Sequence, residues 1–469
     1  MEEWFIALDK SLNIPLYEQI YRQMKQDITE QRVPVGKKLP SKRKLSEFLS
    51  ISQTTIEFAY GQLVSEGYII SVPRSGYFVQ NIEELAYVEK QKVKDVSIPE
   101  QSQTAIDFSP GMVDPDTFPF TKWRKVAKDV IDEHAAHLLQ LGDPHGDVEL
   151  RNEIATYLYH SRGVICTPDQ IIIGSGTEQL IPLIIRILGS DAVYAVEDPG
   201  YPLTHHVFDH NLRSAIPIAV DDDGIDVDAL QRTSATVAYV TPSHQFPTGT
   251  VLSAPRRAAL LNWASSNSDH VIIEDDYDGE FRYASRPIPS LQGMDRGENV
   301  IYLSTFSKSL MPSLRIAYMV LPSALLERYR GAFIQYASTV PRIEQHMLAR
   351  FMADGQFSRH LNRMRKIYRK KLQVLKGALS SYEPLISYSG DEAGMHIIVT
   401  VQSQQPELEL AELALQKGIR VYSLSGYQSS AVQDSPSFLL GFGGLHEQDI
   451  KQGIDKLMAV WNIKKTDLR

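Results

Sequence analysis

Apolar positions recur at two different periods along this chain, and the change from one to the other divides it. Leu16, Ile20, Met24 and Ile28 recur every fourth residue with Tyr17 and Tyr21 beside them, which predicts an amphipathic helix. Pro40-Ser41 starts a second helix, with Ser41 placed to cap it and Leu45, Phe48 and Leu49 on its apolar face. Ile51-Ser52 makes a turn, and Ser52 caps a third helix in which Ile56, Ala59, Tyr60, Leu63 and Val64 face inward. Gln53, Thr54, Thr55 and Glu57 then lie near its outward-facing start, and Gly67 stops it. Tyr68 to Ser71 and Gly76 to Val79 alternate like two short strands about Pro73-Arg74-Ser75, predicting a hairpin.

Three short helices and a hairpin, in that order, describe a winged helix-turn-helix. In that geometry the start of the third helix enters the DNA major groove and flanking cations hold phosphates. Six basic residues and no acidic one lie between Arg32 and Lys44, a local patch on a chain of net charge −9. Residues 1–80 are therefore expected to be a DNA-binding domain. Residues 81–104 are polar and charged without a sustained period and are expected to be a linker. Residues 105–469 follow as a larger domain.

In that larger domain strand-like apolar runs alternate with helical segments, which predicts an α/β fold with a mostly parallel sheet. Ligands of such sheets bind where strands deliver their C-terminal ends. Ile171-Ile172-Ile173-Gly174 leads into Ser175-Gly176-Thr177, whose backbone N–H groups and helix dipole suit a phosphate. Val193 to Val196 leads to Glu197 and on to Tyr201, an aromatic able to stack on a ring. Tyr239-Val240-Thr241 leads into Pro242 to Gly249, and Val271-Ile272-Ile273 into Glu274-Asp275-Asp276-Tyr277. Asn299 to Leu303 leads into Thr305-Phe306-Ser307-Lys308, so a lysine sits where a buried strand ends. Desolvation lowers an ammonium pKa, and a lysine so tuned can condense with an aldehyde. Arg315 offers a fork of donors for a phosphate, and the hydroxyls of Thr305 and Ser307 can reach the same anion. Aldehyde plus phosphate points to pyridoxal 5'-phosphate (PLP), and an aspartate on its pyridine nitrogen would make the ring an electron sink.

Composition narrows the class. At 469 residues, 43% hydrophobic and 22% charged, the chain reads as a soluble globular protein of more than one domain. The best apolar run, Ile181 to Leu188, is short and broken by Arg186, so no membrane span is expected. Cys166 is the single cysteine, which rules out an internal disulfide and suits a reducing cytoplasm. His206 with His210, and His134 with His137, have metal-ligand spacing but no obvious third ligand, so no metal is expected.

The first eighty residues resemble the GntR-type winged helix. The resemblance is carried by Leu39-Pro40-Ser41-Lys42-Arg43-Lys44-Leu45, Ser52-x-Thr54-Thr55-Ile56, Ala59-Tyr60-x-x-Leu63-x-x-Glu66-Gly67 and Arg74-x-Gly76-x-Phe78-Val79. It implies DNA contacts from Lys42, Arg43, Thr54, Thr55 and Arg74. Gln53 stands where members often have arginine, which implies a changed base preference.

From about Ile106 onward the chain resembles fold-type I PLP enzymes, the aminotransferases, with a smaller C-terminal α+β subdomain. The whole looks like the MocR/GabR subfamily of GntR regulators, which implies a cytoplasmic homodimer that binds operator DNA and PLP. By that resemblance Lys308 carries PLP, Asp275 meets the pyridine nitrogen and Tyr277 approaches the phenolic oxygen. Arg315, Thr305, Ser307, Ser175, Gly176 and Thr177 hold the phosphate, and Tyr201 stacks on the ring. The aminotransferase Asn-Pro-x-Gly turn appears as Phe246-Pro247-Thr248-Gly249, leaving His244 or Gln245 to replace the asparagine. Gly444 is expected at the place of the arginine that grips a substrate carboxylate, and Leu203 stands where a GABA-sensing relative has another. Both departures imply poor handling of ordinary α-amino acids. The implied signal is PLP itself, or an amino compound forming an external aldimine. A working aminotransferase with an accessory DNA-binding domain is the alternative.

Overall fold

The computed structural model describes residues 6, 8–82, 106–283, 288–429 and 435–465. Its contacts separate into two compact units, Met1–Gln101 and Ser102–Arg469. Of the expected linker, residues 83–104 lie outside the described residues.

The first unit contains α1 (Leu16–Thr29), α2 (Lys42–Leu49), α3 (Gln53–Ser65) and an antiparallel hairpin of β1 (Ile69–Val72) and β2 (Gly76–Val79). Both expected caps form: Ser41 accepts from the Lys44 N–H and Ser52 from the Thr55 N–H, each at 3.2 Å. Ile20, Met24 and Ile28 of α1 pack with Leu45 of α2 and Ile56, Ala59, Tyr60 and Leu63 of α3 into one core. Phe48 and Val64, expected to face inward, are exposed. In α2, Leu45 is buried and Leu49 packs against the same core one turn later, leaving Phe48 beside that face and exposed. Tyr60 ties two elements together, donating to Pro40 O at 3.0 Å while its ring meets Tyr77 edge-on at 4.9 Å. Lys38 adds a bridge to Phe78, extending the hairpin by a short third edge.

The second unit is built on an eight-stranded sheet of β3 (Ile171–Gly174), β4 (Tyr194–Asp198), β5 (Ala215–Asp221), β6 (Gly224–Ile225), β7 (Val237–Val240), β8 (Val271–Asp275), β9 (Val300–Thr305) and β10 (Ala317–Val320). Their order is β3-β10-β9-β8-β7-β4-β5-β6, with β9, β8, β7, β4 and β5 mutually parallel and β10 antiparallel to both its neighbours. Strands β3, β7, β8 and β10 are buried at every residue, which explains their continuous apolar runs. Register aligns the functional ends: Leu303 lies opposite Asp275, Thr305 opposite Ala317, and Ala317 opposite Gly174. Helices α4 (Thr177–Leu188) and α5 (Phe306–Ser309) start at two of these ends.

The C-terminal part is a smaller α+β layer. An antiparallel sheet of β11 (Ile386–Ser389), β12 (His396–Val401), β13 (Tyr422–Ser423) and β14 (Ser437–Gly441), ordered β11-β12-β14-β13, packs with flanking helices that include Glu447–Val460. No helix among the described residues is long and apolar enough to cross a membrane.

Candidate cofactor cavity and nucleic-acid interface

On the first unit, the expected DNA-contacting residues lie at the starts of α2 and α3 and at the hairpin tip. Gln53 and Thr54 are exposed at the first turn of α3. Thr55 is half-buried and its hydroxyl lies 2.8 Å from Ser52 Oγ, so it also serves the cap. Arg74 occupies the tip in the left-handed region at φ 61° and is exposed. Lys42 pairs with Glu57, and Arg43 with Glu47 at 2.9 Å. Glu57 therefore shares the exposed start of α3 with Gln53, a carboxylate that cation-counting passes over.

The second unit holds a cavity of about 390 Å³ at the C-terminal ends of the sheet. Thr305 caps α5 by accepting from the Ser307 N–H at 3.1 Å, and this tight strand-to-helix turn sends Lys308 into the cavity. Lys308 Nζ donates to Pro110 O at 3.1 Å and lies 4.8 Å from the centroid of the Tyr277 ring. Burial lowers its ammonium pKa, although the nearby Asp278 and Asp275 charges oppose the shift. Asp275 lines the same space. One of its oxygens accepts from the Tyr239 hydroxyl, and the other is buried without a partner among the described residues. Burial pushes its carboxyl up to about 7, against the pull of that hydrogen bond.

The same cavity holds a set of residues able to cradle an anion. Gly176, Thr177, Thr305, Ser307 and Arg315 all line it, with Gly176 capping the twelve-residue α4. A Cβ on Gly176 would collide with the Arg315 guanidinium, so glycine lets that cation close on the helix N-terminus. Arg315 pairs there with Glu178 and holds φ 51°. Ser175 stands outside the lining, and its N–H is taken by Gln179 Oε1 at 3.3 Å. Tyr201 lines the cavity and meets Phe246 edge-on at 5.1 Å.

Three expectations need correcting. His244 does not line the cavity: it is buried behind Tyr277, where Asp278 takes its Nδ1. Gln245 is likewise spent on the turn, donating to Pro199 O at 2.8 Å and Phe246 O at 2.7 Å. Neither is among the residues lining the cavity, to which Phe246 of the same turn contributes instead. Gly444 is not at the cavity but against Met112, whose Cβ would lie 2.7 Å from a Cβ there. Within β14, Leu439 is fully buried in an apolar cluster with Phe246, Ile398 and Leu424, against which Tyr277, Tyr422 and Tyr427 pack. Leu203 does line the cavity. The aromatic wall of Tyr422 and Tyr427 was missed because a two-residue strand and the single 3-10 turn after it are too short to show a periodic pattern.

Neither His206 and His210 nor His134 and His137 joins a set of three potential ligands among the described residues.

Comparison with known proteins agrees with both units. Residues 104–457 match the family "Aminotransferase class I and II", and residues 16–79 match "Bacterial regulatory proteins, gntR family". The chain is 44% identical to the uncharacterized HTH-type transcriptional regulator YdeL of Bacillus subtilis, covering 97% of this chain and 99% of that one. It is 31% identical to the HTH-type pyridoxine biosynthesis transcriptional regulator PdxR of Corynebacterium glutamicum, covering 95% of each. The kynurenine aminotransferase of Pyrococcus horikoshii superposes with a TM-score of 0.69 at 28% identity, over 77% of this chain and 92% of that one. With a gntR-type winged helix joined to a class I and II aminotransferase fold along nearly its whole length, the chain belongs to the MocR/GabR-type HTH regulators.

Proposed function

We propose that this protein is a cytoplasmic, homodimeric transcription regulator that binds operator DNA through its first unit and PLP in the cavity of its second. One observation carries the cofactor reading: a desolvated lysine, an unpartnered buried carboxylate oxygen and an arginine at a helix N-terminus converge on a single cavity. This donor set fits PLP. The unpartnered Asp275 oxygen suits a protonated pyridine nitrogen, and the Arg315 cradle with Gly176, Thr177, Thr305 and Ser307 suits a dianionic phosphate. When bound, PLP supplies an electrophilic aldehyde and an electron-withdrawing ring.

The chain's own residues do the rest. Burial lowers the Lys308 ammonium pKa and so eases loss of its proton, and Pro110 O orients the amine. As a carboxylate, Asp275 would hold a proton on the pyridine nitrogen, while Tyr201 and Phe246 supply aromatic lining to the cavity wall. Glu178 competes with any anion for Arg315 and so weakens the cradle's hold on phosphate. Lys308 and Arg315 are the only Lys or Arg among the described residues of the lining, and Leu439 underlies it. That supports PLP itself, or an amino compound lacking a carboxylate, as the signal.

At the DNA, Lys42, Arg43 and Arg74 take phosphates and Gln53 and Thr54 meet base edges. The expected behaviour is a protein that retains a specific duplex from a randomised pool, with a preference altered by added PLP. Fast transamination of common amino acids with no sequence-selective DNA binding would reverse the assignment.

A further inference from the structure

The Tyr277 hydroxyl faces a buried pair on the side away from the cavity. His244 and Asp278 are each 1% exposed. His244 Nδ1 lies 3.0 and 3.2 Å from the two Asp278 oxygens and 3.0 Å from the Tyr277 hydroxyl oxygen. A single ring nitrogen cannot donate to Asp278 and accept from Tyr277 at once. If it accepted, a buried carboxylate would face a lone pair and the proton would sit on Nε2, which has no partner among the described residues. Both conditions are costly in a dry interior. Nδ1 therefore carries the proton and gives it to Asp278, in the neutral ring and the imidazolium alike. The tyrosine hydrogen is then barred from His244.

Burial alone would raise the Asp278 carboxyl, but His244, with Lys308 and His396 beyond it, outweighs burial and holds the group below its ordinary value. Burial keeps the Tyr277 phenol well above its ordinary value, so the oxygen retains its hydrogen. Gly394, at φ +69°, lets the segment before β12 close over the pair, because a Cβ there would overlap the His244 ring.

We propose that His244 and Asp278 are positioning residues: their hydrogen bond turns the Tyr277 hydroxyl hydrogen into the cavity, toward the ring oxygen of bound PLP. The inference rests on the PLP reading above.

The test uses the full chain loaded with PLP and follows its visible absorption band against pH in wild type, Tyr277→Phe, His244→Phe, His244→Asn and the double variant of Tyr277→Phe with His244→Phe. The titratable groups facing His244 are Tyr277, Asp278 and His396, with the Lys308 charge nearby. A donor on the ring oxygen withdraws the negative charge that holds a proton on the adjoining lysine nitrogen. Losing that donor should raise the midpoint by roughly half to one pH unit, the size of one hydrogen bond. Tyr277→Phe and His244→Phe should shift it alike, the double variant no further than either, and His244→Asn, which keeps an N–H, much less. Additive shifts, an unmoved midpoint in His244→Phe, or equal effects of Phe and Asn would overturn the proposal. Failure of the wild-type chain to take up PLP at all would instead remove the reading beneath it.

Discussion

Asp275 ends β8 with one oxygen on Tyr239 and the other unpartnered among the described residues, and burial pushes its carboxyl up to about 7. A carboxyl raised on folding binds more protons in the folded chain than in the unfolded one between its ordinary value of 3.8 and about 7. It therefore costs stability increasingly as pH rises through that window. The PLP-free Asp275→Asn variant should accordingly gain thermal stability relative to wild type as pH goes from about 4 to about 7, measured as the difference in Tm. A difference that stays flat would remove Asp275 as a strained ionisable group. The same substitution should weaken PLP binding by about 1–3 kcal/mol, roughly a 5- to 150-fold loss in a titration near neutral pH, since a charge-assisted partner is lost. Gly176→Ala tests the cradle directly. Its Cβ would overlap the Arg315 guanidinium and the Glu178 carboxylate at a backbone φ of +158° that alanine rarely adopts, so it should lower Tm somewhat and lower PLP affinity more than the affinity for phosphate-free pyridoxal. Equal losses for both vitamers would contradict a phosphate cradle at that helix start.

Elements, more than single residues, were legible in advance. The helical period of Ile20, Met24 and Ile28 and the unbroken apolar runs of β3, β8 and β9 follow directly from which faces are buried. Lys308 and Asp275, read from strand ends, and Arg315, read from its place seven residues beyond Lys308, all line one cavity. Phe48, His244 and Gly444 were misplaced for a different reason. Period and motif say which element a residue joins, not which neighbour reaches it first, and Asp278 and Met112 decided the last two. Leu439 and Tyr427 acquire their places only when β14 and the segment after β13 fold against the large sheet, a relation between distant stretches that no local pattern encodes. At the winged helix, the start of α3 and the hairpin tip make separable predictions. Gln53→Ala should relax preference at one base position per half-site by about 1–3 kcal/mol, while Arg74→Ala should weaken all duplexes about equally and reduce the salt dependence. Selection from a randomised duplex pool, repeated at two salt concentrations, distinguishes them. A preference left intact in Gln53→Ala would move base reading elsewhere on α3.

For the whole molecule, a winged helix and a cofactor domain on one chain imply that PLP acts on DNA only through a difference in its affinity for two states of the protein. That coupling must be reciprocal, so operator DNA should change PLP affinity by the same factor that PLP changes DNA affinity. The measurement that bears most directly on the account is borohydride reduction of the full chain incubated with PLP, followed by proteolysis and mass spectrometry. The account predicts a stoichiometric phosphopyridoxyl adduct on the peptide containing Lys308, absent from Lys308→Ala. An adduct scattered over surface lysines, or one that persists unchanged in Lys308→Ala, would contradict it.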